Sequence, residues 1–206
     1  HSRSSPAILS SRSGATCCCG RAPNTNKTYY TTTDWSKTGV VNVKQTWWWQ
    51  VIKKAGFKLG ANDSYSGATV SYSGYNDEDY ADRSFITRVP RLGNPDIILI
   101  FGGINDNWAN TPIGEYKYED FKRADLYTYR PALAKLIGLA QEHYPNVTLY
   151  FIISDDLKTE IVESTKVVCE HYGIKYVQLQ GIEKESGHPT VKGMETIANQ
   201  VLTLIK

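Results

Sequence analysis

Five consecutive residues, Ile97-Ile98-Leu99-Ile100-Phe101, form an unbroken apolar run led in by Pro95-Asp96 and followed by Gly102-Gly103. A run this short, rich in β-branched side chains and without polar alternation, predicts a strand covered on both faces, as in a parallel sheet. Such a strand needs flanking strands and helices, and the rest of the chain supplies them. Lys44 to Ala55 reads as a helix stopped by Gly56, and Phe57 to Ala61 as a short strand. Leu133, Leu136, Ile137 and Ala140 recur at helical spacing, and Val147 to Ile153 follows as a strand. A helix from about Leu157 to His171, with Ile161, Thr165 and Val168 on one face, ends at Gly173 and precedes a strand over Ile174 to Leu179. Val191 to Ile205 closes the chain as a helix, with Ile197, Val201 and Leu204 about one turn apart. Helix and strand alternating in this way predict an α/β fold, a three-layer α/β/α sandwich with a mostly parallel central sheet and right-handed crossovers. All 206 residues suit one domain, with residues 1–22 anomalous in composition.

Charge narrows the function classes. A formal net charge of +2 gives no reason to expect a nucleic-acid partner, and no apolar run approaches the roughly 20 residues of a membrane helix. The charge is uneven: residues 1–33 hold Arg3, Arg12, Arg21 and Lys27 and no acid. The same stretch holds Cys17-Cys18-Cys19, three of the four cysteines. Three adjacent cysteines cannot all turn toward one centre, so neither a metal site nor a disulfide framework is expected, and Cys169 reads as a small buried hydrophobe. The stretch lacks a starting Met and the apolar h-region of a secretory signal, so it is not read as a targeting segment and the expected address leans to the cytoplasm. A tag, a divergent segment, or a scrambled or frameshifted stretch of coding sequence would each account for its composition.

In open parallel sheets, sites gather at the carboxyl ends of the strands. Three turns there carry chemistry. Gly103-Ile104-Asn105-Asp106 leaves the strongest strand; its Asn can present an NH₂ donor, and Asp106 can hold the loop by accepting backbone N–H bonds. Asn62 to Thr69 contains Ser66-Gly67, where a bare Gly N–H can approach a ligand closely, or where Gly simply meets a need for positive φ. Glu185-Ser186-Gly187-His188-Pro189 places a histidine in a loop before the last helix. Imidazole ordinarily titrates near neutrality, which suits acid–base work, and Glu185 can orient the ring. His143 and His171 lie near helix ends and read as surface or capping residues.

Taken together, these turns resemble the SGNH (GDSL-like) hydrolase family. Gly103-Ile104-Asn105-Asp106 looks like its GxND block, Asn62 to Thr69 like its second block, and Glu185-x-x-His188-Pro189 like its C-terminal DxxH block. The resemblance runs over residues 40–206, with the blocks in family order. It implies a flavodoxin-like fold and a serine esterase without metal or organic cofactor. It also implies that the Gly67 N–H and the Asn105 side chain hold the oxyanion, that His188 is the base and that Glu185 is the acid. The implied partner is a small-molecule acyl ester, with an acetylated carbohydrate suggested by the many aromatic residues.

The chain departs from the family at the nucleophile, since no Gly-Asp-Ser occurs anywhere. Ala7-Ile8-Leu9 stands where the first strand belongs, followed by Ser10-Ser11-Arg12-Ser13-Gly14. Ser13 is the nearest positional match and Ser11 the second. Ser64, in Asn62-Asp63-Ser64, imitates the missing block but would leave the second block unassigned. Glu185 is one methylene longer than the family's Asp. The missing block also supports a rival expectation, a catalytically inactive relative that binds glycans or another small ligand.

Aromatic placement completes the expectations. Trp47-Trp48-Trp49 would spread over about 200° of a helix, so at least one is expected at a surface or cleft rim. Trp108, three residues after Asn105, can wall the pocket, and Tyr72, Tyr75 and Tyr80, among Asp77, Glu78 and Asp79, read as a polar surface loop.

Overall fold

In the computed structural model, which describes residues 5–10 and 38–206, five short strands pair side by side, each parallel to its neighbours. In chain order the elements are β1 (Pro6–Ser10), α1 (Trp47–Ala55), β2 (Ala61–Ser64), α2 (Phe85–Arg88), β3 (Ile97–Phe101), α3 (Ile104–Trp108), α4 (Tyr129–His143), β4 (Thr148–Ile153), α5 (Thr159–His171), β5 (Lys175–Gln178), a two-residue pair β6 (Lys184–Glu185) and β7 (His188–Pro189), and α6 (Val191–Leu204). Strand order is β2-β1-β3-β4-β5, with β6 and β7 forming a separate antiparallel pair.

Period-two alternation sorts the strand side chains between two cores. Ala7, Leu9, Ile98, Ile100, Leu149, Phe151 and Ile153 face α4 and α5 with Leu133, Ile137, Ile161 and Val168. Ile8, Leu99, Phe101, Tyr150 and Ile152 face α1 and α6 with Trp47, Val51, Met194, Ile197 and Val201. Hence β3 needs apolar residues at successive positions: each of its fully buried side chains contributes about 1.5–3 kcal/mol by leaving water, whichever face it points to. The expected three-layer α/β sandwich is the observed architecture.

One expected strand lies elsewhere. Phe57 to Gly60 do not pair as a strand; Phe57 and Leu59 pack against the α1/α6 core, and β2 runs through Ala61–Ser64. Pairing is dictated by the partner. β1 begins at Pro6, whose carbonyl accepts the Gly60 N–H at 2.9 Å, so the ladder opens there and sets Ala61 opposite Ala7. As an edge strand, β2 tolerates the polar run Asn62-Asp63-Ser64 that a central position would exclude.

The topology fixes the site. From β1 the chain crosses to one side to make β2 and then returns to the other side of β1 to make β3. In open parallel sheets such a reversal of strand order marks the place where sites form, at the carboxyl ends of β1 and β3. β1 ends at Ser10, which pairs with Ser64 of β2 and Phe101 of β3 at that end of the sheet.

Candidate active site

The turn after β3 is shaped by two glycines. A Cβ on Gly102 would lie 2.7 Å from the Phe85 ring, and one on Gly103 would lie 2.8 Å from the Tyr129 hydroxyl; Gly103 also has φ +87°, a left-handed conformation that favours glycine. The chain thus passes straight from a buried strand into α3. Successive residues of that short helix take different directions. Ile104 enters the α1/α6 core, Asn107 accepts the Lys158 N–H at 2.9 Å, and the Trp108 indole stays 40% exposed.

Asn105, only 4% exposed, bridges two segments: its Nδ2 donates to the Ala68 carbonyl at 2.8 Å, and its Oδ1 accepts from the Tyr75 hydroxyl at 2.7 Å. Asp106, fully buried, accepts from Val70 N at 2.8 Å, Ser71 N at 3.0 Å and Ser71 Oγ at 2.8 Å. The bonds expected of Asp106 thus exist, but they hold the segment after β2 rather than its own turn. Burial pushes the Asp106 carboxyl above the usual carboxylate range, against the opposing pull of the Ser71 and Val70 hydrogen bonds. Burial likewise pushes the Tyr75 hydroxyl up to about 12, so it stays a protonated donor at neutral pH.

Gly67 sits in the turn after β2 at φ +74°, with nothing near the position a Cβ would take. Backbone conformation, not crowding, therefore explains glycine there. The carbonyl that Asn105 holds is that of the next residue, Ala68, so the Asn105 amide is tied to this turn one residue beyond Gly67.

His188 lies in a hairpin rather than a loop. Glu185 pairs with His188 across a two-residue turn, Ser186-Gly187, in which both φ values are positive at 50° and 77°. Cross-strand partners share one hairpin face, which puts the Glu185 carboxylate on the same side as the imidazole, although Glu185 is exposed and His188 half-buried. The hairpin is held from below. Lys184 makes ion pairs with Asp155 and, at 2.9 Å, Asp156 in the turn after β4, and Asp155 also accepts the Ile182 N–H at 2.8 Å. Thr190 N–H bonds to the Glu183 carbonyl at 3.0 Å and the Thr190 hydroxyl caps α6 at Gly193, where any Cβ would collide with that same carbonyl.

Trp108 joins the two limbs. Its ring meets the His188 ring edge-to-face at 6.3 Å between centroids, and a Cβ on Gly187 would lie 3.5 Å from it. Since Trp108 is three residues after Asn105, both side chains leave the same side of α3. Asn105 is thus bonded to the residue after Gly67, and Trp108 of the same helix lies against His188, whose hairpin partner Glu185 is exposed. Ser11 and Ser13 lie outside the described residues, as do Cys17, Cys18 and Cys19. Ser64 is fully buried on β2, its hydroxyl donates to Asn62 Oδ1 at 2.5 Å, and its neighbour Asp63 pairs with buried Arg88 at 3.5 Å. This setting suits a structural serine rather than a nucleophile.

Two contributors escaped the sequence. Tyr72, Tyr75 and Tyr80 do not form a surface loop: Tyr80 is buried, Tyr72 packs on the α4/α5 core and Tyr75 reaches Asn105, while Asp77, Glu78 and Asp79 are exposed. The only sequence hint is Ser73-Gly74, a turn signal that says nothing of direction. Lys184 carries no signal in the sequence, because its partners lie 29 and 28 residues away. Trp47 and Trp48 are buried, and Trp49 is the half-exposed member, with Lys53 Nζ 5.1 Å from its ring centroid. Cys169 is buried, which pushes its thiol well above the usual range. No helix among the described residues is long and apolar enough to cross a membrane.

Comparison with known proteins agrees with the fold. The model of the GDSL-like lipase/acylhydrolase family matches residues 11–205. The chain is 46% identical to a protein of Bacteroides ovatus ATCC 8483 described as a candidate GDSL-like lipase, covering 100% of this chain and 99% of that one at a TM-score of 0.91. A second such protein, from Bacteroides uniformis ATCC 8492, is 41% identical over 97% of this chain and 94% of its own, with a TM-score of 0.89. A family two carbohydrate esterase from Clostridium thermocellum, in complex with cellohexaose, shares the fold at 13% identity and a TM-score of 0.63, over 100% of this chain and 65% of that one. No curated protein matches the sequence.

Proposed function

The chain belongs to the GDSL-like lipase/acylhydrolase family, and from that premise we propose that it is a serine esterase of SGNH type acting on a small acyl ester, an acetylated carbohydrate being the substrate class. The observation that carries the reading is the junction at α3: Asn105 is bonded to the residue after Gly67, and Trp108 of the same turn lies against His188.

The chemistry follows from the placement. A serine just past β1, Ser13 first and Ser11 second, attacks the ester carbonyl while His188 takes its proton. The carbonyl oxygen becomes an oxyanion, held by the Gly67 N–H and by the Asn105 amide. Donors fixed before charge develops need no reorganisation in the transition state, and each is worth about 10²–10³ in rate. His188 then protonates the leaving alcohol, and water, deprotonated by His188, releases the acid and restores the serine. Glu185, across the hairpin, stabilises the imidazolium. The scheme requires no metal or organic cofactor. The sugar assignment rests on Trp108, whose exposed indole beside His188 offers a flat apolar surface to a pyranose ring.

Hydrolysis of p-nitrophenyl acetate and covalent labelling by a fluorophosphonate probe test the reading. Turnover by the wild-type protein, its loss in His188→Ala, and a labelled peptide containing Ser11 or Ser13 are expected. Equal rates for the two proteins would remove His188 from the mechanism. The absent Gly-Asp-Ser favours one other reading, an inactive relative that binds glycans. That reading takes over if the probe labels no serine while the protein still binds an oligosaccharide.

A further inference from the structure

We infer that the cavity between the end of α3 and the start of α5 seats one neutral sugar ring from the alcohol portion of the substrate, an inference that rests on the esterase reading and deepens it.

Place and size come first. The cavity measures about 230 Å³; Asp106 and Asn107 of α3 line one side, residues 110–113 continue it, and the start of α5 closes the other. At roughly 30 Å³ per water this is the room of about eight waters, enough for one six-membered ring and too little for a chain. The cavity adjoins the proposed site because α3 belongs to both. Asn105 and Trp108 flank the two α3 residues that line it, and Asn110 follows two residues after Trp108, whose indole lies against His188. α3 is five residues, about 7.5 Å at 1.5 Å per residue, so the alcohol side of an ester bound there has this cavity beside it.

The lining suits a sugar. Buried Ile161 and half-buried Ile113 give an apolar floor, while Asn110, Lys158 and Glu160 stand exposed at the rim. A pyranose is divided in the same way, with C–H groups on its faces and hydroxyls round its edge. A hydroxyl both donates and accepts, and the rim meets both needs. Lys158 Nζ donates to Asn110 Oδ1 at 2.6 Å; an ammonium can only donate, so the amide oxygen is the atom that faces it. Asn110 Nδ2 is then the other edge of the amide and a donor. The Glu160 carboxylate, which has no ion pair or hydrogen bond among the described residues, is an acceptor. One cation and one carboxylate offset each other, which favours a neutral ligand over an anion. Asn110 also takes φ +53°, a left-handed conformation that asparagine adopts more readily than most residues, and so turns the chain at the rim.

Asn110→Gly removes the amide at a position where glycine keeps the positive φ, and Glu160→Ala removes the acceptor. Two esters separate the cavity from the reacting centre: an acetylated cellobiose and p-nitrophenyl acetate, which carries no sugar. Each substitution should raise KM for the sugar ester about 3–10-fold with kcat within about twofold, and leave p-nitrophenyl acetate hydrolysis unchanged. Wild-type KM in both variants, or an equal loss on the two esters, would overturn the inference. A readout free of turnover is titration of plain cellobiose into ¹⁵N-labelled protein. The Asn110 side-chain amide and the backbone signals of Glu160 and Ile161 should shift, with weaker binding in both variants. Inorganic phosphate is the control: signals moved by phosphate but not by cellobiose would mark an anion site and refute the neutral ring. Should the wild-type protein hydrolyse no ester, the esterase reading fails separately. The titration still decides on the cavity, and signals unmoved up to the solubility limit of cellobiose would refute the subsite.

Discussion

Asn105 and His188 stand on either side of one tryptophan, yet they are held in different ways. Asn105 sits in a buried network, with Asp106 beside it fully buried and bonded to three donors, and with Tyr75 and Ala68 gripping the amide from both sides. His188 rides on a six-residue hairpin, half-exposed, moored by Lys184 to Asp155 and Asp156. The contrast follows from what each group would do. A donor that stabilises developing charge gains from immobility, because any reorganisation would be paid during reaction. A base must exchange its proton with serine, leaving group and water, so it needs solvent access and a tether that keeps it in reach.

Substitutions on the two limbs should separate these demands, and the largest effect belongs to the base itself. His188→Ala should lower kcat for p-nitrophenyl acetate by about 10²–10⁴ with an unchanged melting temperature, because a half-exposed ring on a hairpin contributes little to the core. Asn105→Ala comes next, with a fall of about 10²–10³ in kcat. Unlike His188→Ala it should also destabilise the protein, by about 1–3 kcal/mol in urea unfolding, since the Ala68 carbonyl and Tyr75 hydroxyl each lose a buried partner. If Asn105→Ala leaves stability unchanged, the buried network is not what holds that limb.

A smaller effect is expected from Lys184→Met, which preserves length and removes the charge. Asp155 and Asp156 lose their cation, so unfolding stability should fall by about 1–3 kcal/mol, discounted because the pair is not fully enclosed. kcat should fall severalfold as the hairpin loosens, while fluorophosphonate labelling slows in proportion. Activity at the wild-type level would mean that Trp108 and the Glu183 contacts hold His188 without Lys184. Smallest of all is Ser64→Ala: esterase activity should stay within about twofold, with about 1 kcal/mol lost from the missing bond to Asn62. Abolished activity in that variant would make Ser64 the nucleophile and displace Ser11 and Ser13.

The two limbs also differ in how far the sequence revealed them. β3 was legible to the residue, because burial on both faces writes an apolar run that nothing else explains. The Gly103–Asp106 turn was legible for the same reason: it begins where that run stops. β2 was displaced, since an edge strand takes its bounds from its partner and carries no apolar signature of its own. Tyr75 and Lys184 were not legible. Their roles depend on contacts with Asn105 and Asp155 about thirty residues away in the chain, and a tyrosine among acids or a lysine beside a glutamate looks the same whether it faces solvent or a partner. The nucleophile is the remaining gap, because Ser11 and Ser13 lie outside the described residues and the family's serine block is missing from the sequence.

The short helix α3 has a consequence for how such a protein can vary. Its five residues address a hydrophobic core, an amide clamp, a carboxylate anchor, the start of another helix and a histidine-bearing hairpin, one after the other. Inserting or deleting a single residue there would rotate every one of these by about 100° at once. The segment can therefore tolerate exchange of one side chain for another, but not a change of length, whereas the Ser186-Gly187 tip could lengthen while its base stays moored.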